Sequence, residues 1–115
     1  MNQVVGMNEH ANLSNHPRSL ILLWNEWEFG IGTNKPAREF TARERGRKPV
    51  KNKFCLRKVF WKKVEEMIRR GYTAETACLK IKHVYARYNS MTKLLYAMKA
   101  DRNRGFPSEL NDRPL

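Results

Sequence analysis

Residues 52–70 read NKFCLRKVFWKKVEEMIRR, and the fold depends on this stretch. Its apolar side chains recur mostly three or four residues apart: Leu56, Val59, Phe60, Val64, Met67 and Ile68. Such spacing places side chains on one side of an α-helix. Asn52 is a residue type favoured as an N-cap, and Gly71 is favoured just after a helix end. The stretch therefore predicts one long amphipathic helix, capped by Asn52 and ended by Gly71.

A shorter helix is predicted near the start of the chain. Pro17, preceded by Asn15 or His16, suits the first turn of a helix. The apolar stripe of this helix consists of Leu20, Leu23, Trp24 and Trp27. Large aromatic side chains on such a stripe favour core packing over stacking on a ligand. Gly30 and Gly32 then predict the end of the helix, because glycine favours the conformations that terminate helices.

Two different segments are predicted between these helices. Residues 34–41 indicate a short helix, with Phe40 as its contact with the core. Residues 42–51 are rich in arginine, contain Gly46 and Pro49, and show no apolar period. We therefore expect an exposed basic loop over residues 42–51.

Two helices are predicted after the long one. Thr73 is a suitable N-cap, and Glu75 in the first turn favours the positive end of the helix dipole. The apolar stripe that follows is Ala74, Ala77, Cys78, Ile81, Tyr85 and Tyr88. Asn89 and Ser90 interrupt the pattern, which then resumes with Met91, Leu94, Leu95 and Met98. The expected fold is all-α: a single compact domain of four to five helices with a long basic recognition helix.

Length and composition set the domain boundaries. The chain has 115 residues, of which 41% are hydrophobic, enough for one core but too few for two. We expect a flexible leader over residues 1–15, a helical DNA-binding domain over residues 16–104 and a flexible tail over residues 105–115, since both ends are polar and lack periodicity.

The positive charge of the chain is concentrated in one part of it. Lys plus Arg number 23 against 11 Asp plus Glu, a formal net charge of +12. Between positions 43 and 63 there are ten basic residues and one acid, Glu44. A merely soluble surface usually intersperses both signs, whereas an unbalanced block favours a polyanionic partner. Nucleic acid is therefore the expected partner.

The predicted long helix separates two kinds of side chain. Its apolar stripe faces inward, while Lys51, Lys58 and Lys62 fall near one outer line, flanked by Arg57. A helix of this kind resembles a recognition helix, whose N-terminal half enters the major groove of DNA.

Roles follow from the chemistry of each residue type. Phosphate or minor-groove contacts are expected from the basic loop: Arg43, Arg45, Arg47 and Lys48. Base-edge contacts are expected from Arg57 and Lys58, with Lys53 or Asn52 as further candidates, because Arg can pair with guanine and Asn with adenine.

Catalytic groups are poorly represented. The histidines, His10, His16 and His83, are scattered, and His83 has no acid nearby at helical spacing. The adjacent residues Glu65 and Glu66 point in different directions on a helix. Gly30-Ile31-Gly32 lacks the third glycine of a phosphate-binding loop. We therefore expect no enzyme activity, no cofactor and no small-molecule substrate.

Metal and membrane chemistry are also unexpected. Cys55 and Cys78 belong to no CxxC or His-paired cluster, so they predict reduced thiols in or near the core and no metal site. No stretch approaches the roughly 20 apolar residues of a membrane span, and the basic block has no long apolar face of its own. We expect an intracellular protein without membrane contact.

The stretch from Leu23 to Gly32, followed by Pro36, resembles a known family. It contains the order Trp-x-Glu-Trp-x-x-Gly-x-Gly found in the DNA-binding domain of fungal activators of glycolytic genes and their osmotic-stress relatives. The stretch from Phe54 to Phe60 occupies the place of that family's aromatic residue, basic pair and hydrophobic run. The likeness covers residues 20–98.

The resemblance implies roles for matching positions. Trp24, Trp27, Gly30 and Gly32 would be scaffold residues, and Arg57 and Lys58 would face DNA. Between Pro36 and Phe54 this chain departs from the family, which usually has a hydrophobic segment and a further tryptophan there, so loop contacts do not transfer.

The resulting hypothesis is sequence-specific binding of double-stranded DNA by a nuclear transcription activator of glycolytic or stress genes. Other transcription factors are further candidate partners. Two alternatives remain: an RNA-binding helical module, and a basic domain that binds an acidic protein.

Overall fold

Helices account for the described architecture. The computed structural model describes residues 10–114. Its helices are α1 (Leu20–Glu28), α2 (Ala42–Arg45), α3 (Lys48–Arg69), α4 (Ala74–Val84) and α5 (Met91–Arg104). Two 3-10 turns, Ala37–Glu39 and Ser108–Asn111, complete the order. Over residues 10–114 there is no strand beyond an isolated bridge between His10 and Asn34. The prediction of a single all-α domain with four to five helices is confirmed.

The longest helix, α3, begins earlier than the sequence predicted. Its N-cap is Arg47, and Pro49 lies in its first turn. Proline fits there because the first-turn N–H groups have no partner within the helix. Asn52 therefore lies inside the helix, and its predicted role as N-cap is wrong. The predicted end is confirmed, because Gly71 follows with a φ of 111°.

The predicted basic loop over residues 42–51 is wrong, because helix occupies most of it. Thr41 and Glu44 form a capping box around the start of α2. The Thr41 hydroxyl accepts the Glu44 N–H at 3.2 Å, and Glu44 Oε1 accepts the Thr41 N–H at 2.9 Å. Each side chain satisfies a backbone donor that the helix leaves unpaired. Only the turn at Gly46 and Arg47 separates α2 from α3.

Several other helix ends differ from the predicted ones. α1 starts after Ser19, whose hydroxyl accepts the Leu22 N–H at 3.2 Å, rather than at Pro17. The predicted helix over residues 34–41 is reduced to the 3-10 turn. Thr73 caps α4 as predicted. The helix ends at Val84, before the last two residues of its predicted stripe, Tyr85 and Tyr88. Ser90 caps α5.

Gly30 ends α1 for a reason that the backbone makes clear. Its φ is 80°, and a Cβ atom added there would lie 2.1 Å from the carbonyl oxygen of Asn34. No L-residue fits so close an approach. The prediction that this glycine terminates the helix is confirmed.

An aromatic cluster forms the centre of the core, where α1 meets α3. The Trp27 and Trp61 rings stack at 5.0 Å, and Phe54 meets Trp61 edge-on at 5.3 Å. The Trp61 indole N–H donates to the carbonyl oxygen of Leu23 at 2.8 Å. Phe40 stacks on Phe54 at 6.0 Å, which confirms it as a core contact. The cluster fixes α1 and the 3-10 turn against α3.

Parts of both chain ends that were expected to be flexible pack against this core. Leu13 is only 3% exposed, although it lies in the expected leader; residues 1–9 of that leader lie outside the described residues. In the expected tail, Leu110 is buried, and the Tyr72 hydroxyl donates to the carbonyl oxygen of Asp112 at 3.1 Å. Each of these polar ends contains an apolar residue that packs into the core. Packing therefore extends beyond the expected boundaries at residues 15 and 105.

Replacing Trp61 by phenylalanine tests the aromatic cluster. Trp61→Phe removes buried volume and leaves the Leu23 carbonyl without its donor, so the free energy of unfolding should fall by about 2–4 kcal/mol. Urea denaturation followed by circular dichroism measures the change. The control is Phe29→Ala at an aromatic residue that is 62% exposed, where we expect a loss below about 0.5 kcal/mol. Equal losses for both variants would contradict the assigned core.

Candidate nucleic-acid interface

Helix α3 carries two stripes with opposite character. The outer stripe alternates spacings of three and four residues: Lys48, Lys51, Cys55, Lys58 and Lys62, all exposed. The inner stripe does the same and is buried: Val50, Phe54, Arg57, Trp61 and Val64. Alternating spacings of three and four keep each stripe on one side of the helix. We call the four exposed lysines, Lys48, Lys51, Lys58 and Lys62, the lysine ridge. At 1.5 Å of rise per residue, it is about 21 Å long.

The ridge continues into the arginines of α2 and the turn that follows. Arg43, Arg45 and Arg47 are all exposed. Arg45 donates to the carbonyl oxygen of Phe40 at 2.9 Å and lies 5.8 Å from the centre of the Phe54 ring. Arg47 donates to the carbonyl oxygen of Ala11 at 2.5 Å. The guanidinium groups of two of these three arginines are therefore held by backbone carbonyl oxygens, although the residues stay exposed.

The single acid in this basic segment does not cancel its charge. Glu44 pairs with Lys35 at 2.7 Å, and this hydrogen bond, with the one from the Thr41 backbone, lowers the pKa of Glu44. Lys35 lies outside the ridge. The charges of Glu44 and Lys35 cancel each other, so the ridge and the arginines beside it keep their positive charge.

Arg57 does not face outward, and its predicted contact with base edges is wrong for this structure. The residue is 5% exposed. Its Nη1 donates to Glu26 Oε1 at 2.6 Å, and its Nη2 donates to the carbonyl oxygen of Ser14 at 2.7 Å. The other carboxylate oxygen of Glu26 accepts the Ser14 N–H at 2.7 Å and the Ser14 hydroxyl at 2.8 Å. We call this group of three residues, Ser14, Glu26 and Arg57, the buried clasp.

The other residues with a predicted role differ in their exposure and in their partners. Asn52 is exposed beside the ridge. Lys53 is half-buried, and its ammonium group donates to Asn15 Oδ1 at 2.5 Å. Lys62 lies 3.4 Å from Glu65 and 5.2 Å from the centre of a Trp27 ring. Lys48, Lys51 and Lys58 have no carboxylate within ion-pair distance among residues 10–114.

The buried residues that the sequence patterns did not indicate include Glu26, Trp61 and Lys63. The Lys63 ammonium group donates to Glu66 Oε1 at 2.9 Å and to Asn111 Oδ1 at 3.0 Å, and lies 4.7 Å from the centre of the Phe106 ring. The hydrogen bond from Lys63 lowers the pKa of Glu66. Each of the three lies three or four positions from a buried residue of its own helix, and this spacing indicates burial. The charges of Glu26 and Lys63, however, favour exposure.

The two cysteines differ in environment. Cys55 is exposed in the middle of the ridge, so the prediction of a core thiol is wrong there. Cys78 is buried, and burial raises the pKa of its thiol to about 12. At neutral pH only Cys55 is available to a thiol reagent.

Other titratable groups do not converge. His10, His16 and His83 are each exposed. Glu65 accepts the Trp27 indole N–H at 2.8 Å, while Glu66 pairs with Lys63 and Arg70. The part of the chain that the structure describes has no group of three His, Cys, Asp or Glu residues placed to bind a metal. Nor is any described helix long and apolar enough to cross a membrane.

Fold and surface together define a small helical domain with a basic ridge on its longest helix. Over residues 12–84 the sequence matches the family described as transcriptional activator of glycolytic enzymes. The chain belongs to this family, which confirms the resemblance seen around Trp24 and Trp27. Neither the curated proteins nor the solved structures include a significant match. The chain is thus a domain of a family of transcriptional activators, which is not a class of enzymes.

A double-mutant cycle tests the buried clasp. Glu26→Gln leaves the Arg57 charge buried without its partner, so it should lower the free energy of unfolding by about 3–5 kcal/mol. Arg57→Met should cause a comparable loss. In the double variant the loss should be smaller than the sum of the two by about 1–3 kcal/mol, because both charges are gone.

Urea unfolding of the four proteins measures this coupling. The control is Lys58→Met, the neighbouring exposed position, with an expected change within about 0.5 kcal/mol. Strict additivity of the Glu26 and Arg57 effects would contradict the ion pair.

Proposed function

We propose that this domain binds double-stranded DNA through the lysine ridge and the arginines beside it. The observation that carries the proposal is the row of four lysines on the exposed side of α3, which packs on an aromatic core through its other side. Three of the four lysines have no carboxylate partner among the described residues. Unpaired charges on a fixed row suit an anion of regular spacing, and the DNA backbone is such an anion.

The dimensions of α3 support entry into the major groove. An α-helix with its side chains is about 10–12 Å across, and the major groove is about 12 Å wide. A row of about 21 Å along α3 covers roughly six base pairs at 3.4 Å per step. The start of the helix, which carries Lys48, Lys51 and Asn52, is bordered by the arginines of α2.

Contacts divide by chemistry. Arg43, Arg45, Arg47, Lys48 and Lys51 are assigned to phosphates, where they add affinity without sequence preference. Asn52 and Lys58 are assigned to base edges, since Asn can form two hydrogen bonds with adenine and Lys can donate to guanine acceptors. Lys62 extends the phosphate contacts. Lys53 and Arg57 position the helix through Asn15 and the buried clasp, without touching DNA.

The family supports the biological setting of this proposal. A transcriptional activator acts on chromatin, so we place the chain in the nucleus, where the expected partner is duplex DNA and other transcription factors are further partners. Recognition of glycolytic or stress genes would require a preferred sequence, which a selection of bound duplexes from a random pool would identify.

The shape of RNA and the placement of the aromatic side chains both favour duplex DNA over RNA. The major groove of an RNA helix is too deep and narrow to admit a protein helix, whereas single-stranded RNA is usually bound by exposed aromatic side chains. Here Trp24, Trp27 and Trp61 are buried, and the exposed aromatic side chains, Phe29 and Tyr96, lie outside α3 and its lysine ridge. A protein-binding role for the ridge, the other alternative, predicts no salt-dependent affinity for nucleic acid.

Charge reversal on the ridge should weaken DNA binding. If about six phosphates are contacted, affinity should fall about a thousandfold between 50 and 200 mM salt. Lys51→Glu should lower affinity about tenfold on selected and scrambled duplexes alike, with a salt slope smaller by about one. Fluorescence anisotropy at several salt concentrations measures both quantities.

The matched control is Lys82→Glu on α4, an exposed lysine outside the ridge, which should change affinity less than about twofold. Equal losses for the two reversals would show that net charge, rather than the ridge, attracts DNA. Affinity independent of salt would contradict the proposal itself.

The exposed thiol in the ridge offers a footprint of the interface. Bound DNA should slow alkylation of Cys55 by a maleimide at least about tenfold, because α3 then lies in a groove that excludes the reagent. Mass spectrometry after timed quenching measures the rate. Cys78 is the internal control: buried, it should stay unmodified with or without DNA, and its modification would indicate unfolding. Unchanged alkylation of Cys55 on a saturated duplex would place the interface elsewhere.

A further inference from the structure

An open groove of about 770 Å³ lies between α1, α4 and the start of α5. Its floor and walls are mainly apolar: Leu20, Ile21, Cys78, Leu79, Tyr85 and Leu94. The volume falls in the range of about 300–1,000 Å³ typical of ligand sites in proteins. No α3 residue lines it, so the groove and the lysine ridge share no side chain.

Leu79 forms an exposed wall of the groove. It is 66% exposed, the largest fraction among the large hydrophobic residues of the described chain. A single exposed leucine is ordinary on a protein surface. This one borders a concave apolar surface whose floor includes the uncharged thiol of Cys78, so an apolar side chain placed there would be removed from water on several sides.

The charge around the groove is positive. Arg18 and Lys82 line it, and Glu75 is the one carboxylate among its lining residues. Within residues 10–114 neither Arg18 nor Lys82 forms an ion pair. The N-caps of α1 and α5, Ser19 and Ser90, also line the groove, and helix N-termini carry partial positive charge. An occupant with apolar and acidic side chains complements both properties.

The form of the occupant follows from backbone hydrogen bonding. A peptide that binds by adding a β-strand needs a sheet edge to pair its N–H and C=O groups, and the lining of this groove is helix and turn. A helix pairs these groups within itself and presents its side chains at spacings of three and four residues.

We propose that the groove between α1, α4 and α5 is a docking site for an acidic amphipathic helix of another protein. Its apolar side chains would pack against Leu79 and the groove floor, and its carboxylates would face Arg18 and Lys82. This partner site is independent of the proposed DNA binding, because it lies on other residues, so either function can fail without the other.

The probe is a fluorescein-labelled synthetic helix of about 16 residues with a leucine stripe and glutamates on its flanks. One control peptide carries lysine in place of glutamate, and another carries glutamine in place of leucine. Anisotropy gives the Kd, and backbone amide shifts in NMR spectra locate the site. The acidic peptide should bind and shift the amides of Cys78 and Leu79, whereas both control peptides should bind at least about tenfold more weakly.

Four variants of the full chain separate the contributions. Leu79→Glu should raise the Kd of the acidic peptide about tenfold, and Lys82→Glu about threefold. Glu75→Gln should lower the Kd about twofold, because it removes the opposing carboxylate. The matched control is Leu22→Glu, an α1 leucine that is 40% exposed and does not line the groove; its Kd should be unchanged. None of the four should alter DNA affinity more than about twofold.

Other occupants give distinct results, each of which overturns the proposal. Equal binding by the Leu79→Glu and Leu22→Glu variants, or shifts confined to Lys51 and Cys55, would mean that the peptide binds the ridge as a polyanion. Binding that appears only after deletion of residues 1–9 would assign the groove to this chain's own start. A dimer in sedimentation that Leu79→Glu dissociates would assign it to a second copy.

Unchanged circular dichroism of each variant excludes misfolding, and Leu79→Ser provides a second, milder substitution.

Discussion

The buried ion pair between Arg57 and Glu26 sets the orientation of the longest helix. Two charges removed from water destabilise a fold unless the remaining polar atoms of both are also paired. Here Ser14 supplies three such hydrogen bonds, since its N–H and hydroxyl donate to Glu26 and its carbonyl oxygen accepts from Arg57. Residues 10–15, α1 and α3 therefore depend on one another. Rotation of α3 about its axis would leave buried charges unpaired.

The fixed rotation of α3 determines what the domain presents to solvent. Arg57 belongs to the inner stripe, which also contains Phe54 and Trp61. The outer stripe follows the same alternation of spacings on another side of the helix, so the clasp that turns one stripe inward turns the lysine ridge outward. The groove beside Leu79 lies between α1, α4 and α5, where α3 contributes no lining. One core thus supports two surfaces of different chemistry.

Apolar periodicity was sufficient to predict that α3, α4 and α5 exist, though not all of their bounds, because burial of a stripe dominates helix stability in a small domain. It failed in residues 42–51, where arginine-rich composition obscured the Thr41–Glu44 capping box and the suitability of Pro49 for a first turn. At Arg57 the error came from charge rather than from periodicity. That residue lies three positions after Phe54 and four before Trp61, a spacing that favours the buried side of the helix, but its charge suggested a contact with DNA. The ion pair with Glu26 is a tertiary feature that no local pattern predicts.

The ridge is unfavourable for the isolated fold. Lys48 and Lys51 are three residues apart, and Lys58 and Lys62 are four apart, spacings at which like charges destabilise a helix by about 0.2–0.5 kcal/mol per pair. Acids at nearby positions would relieve this repulsion, and the C-terminal half of α3 has them at Glu65 and Glu66. The N-terminal half has none, so its stability comes from the aromatic core behind it. A helix whose like charges repel one another, and which is stabilised by core packing, is the arrangement expected where a partner supplies the missing negative charge.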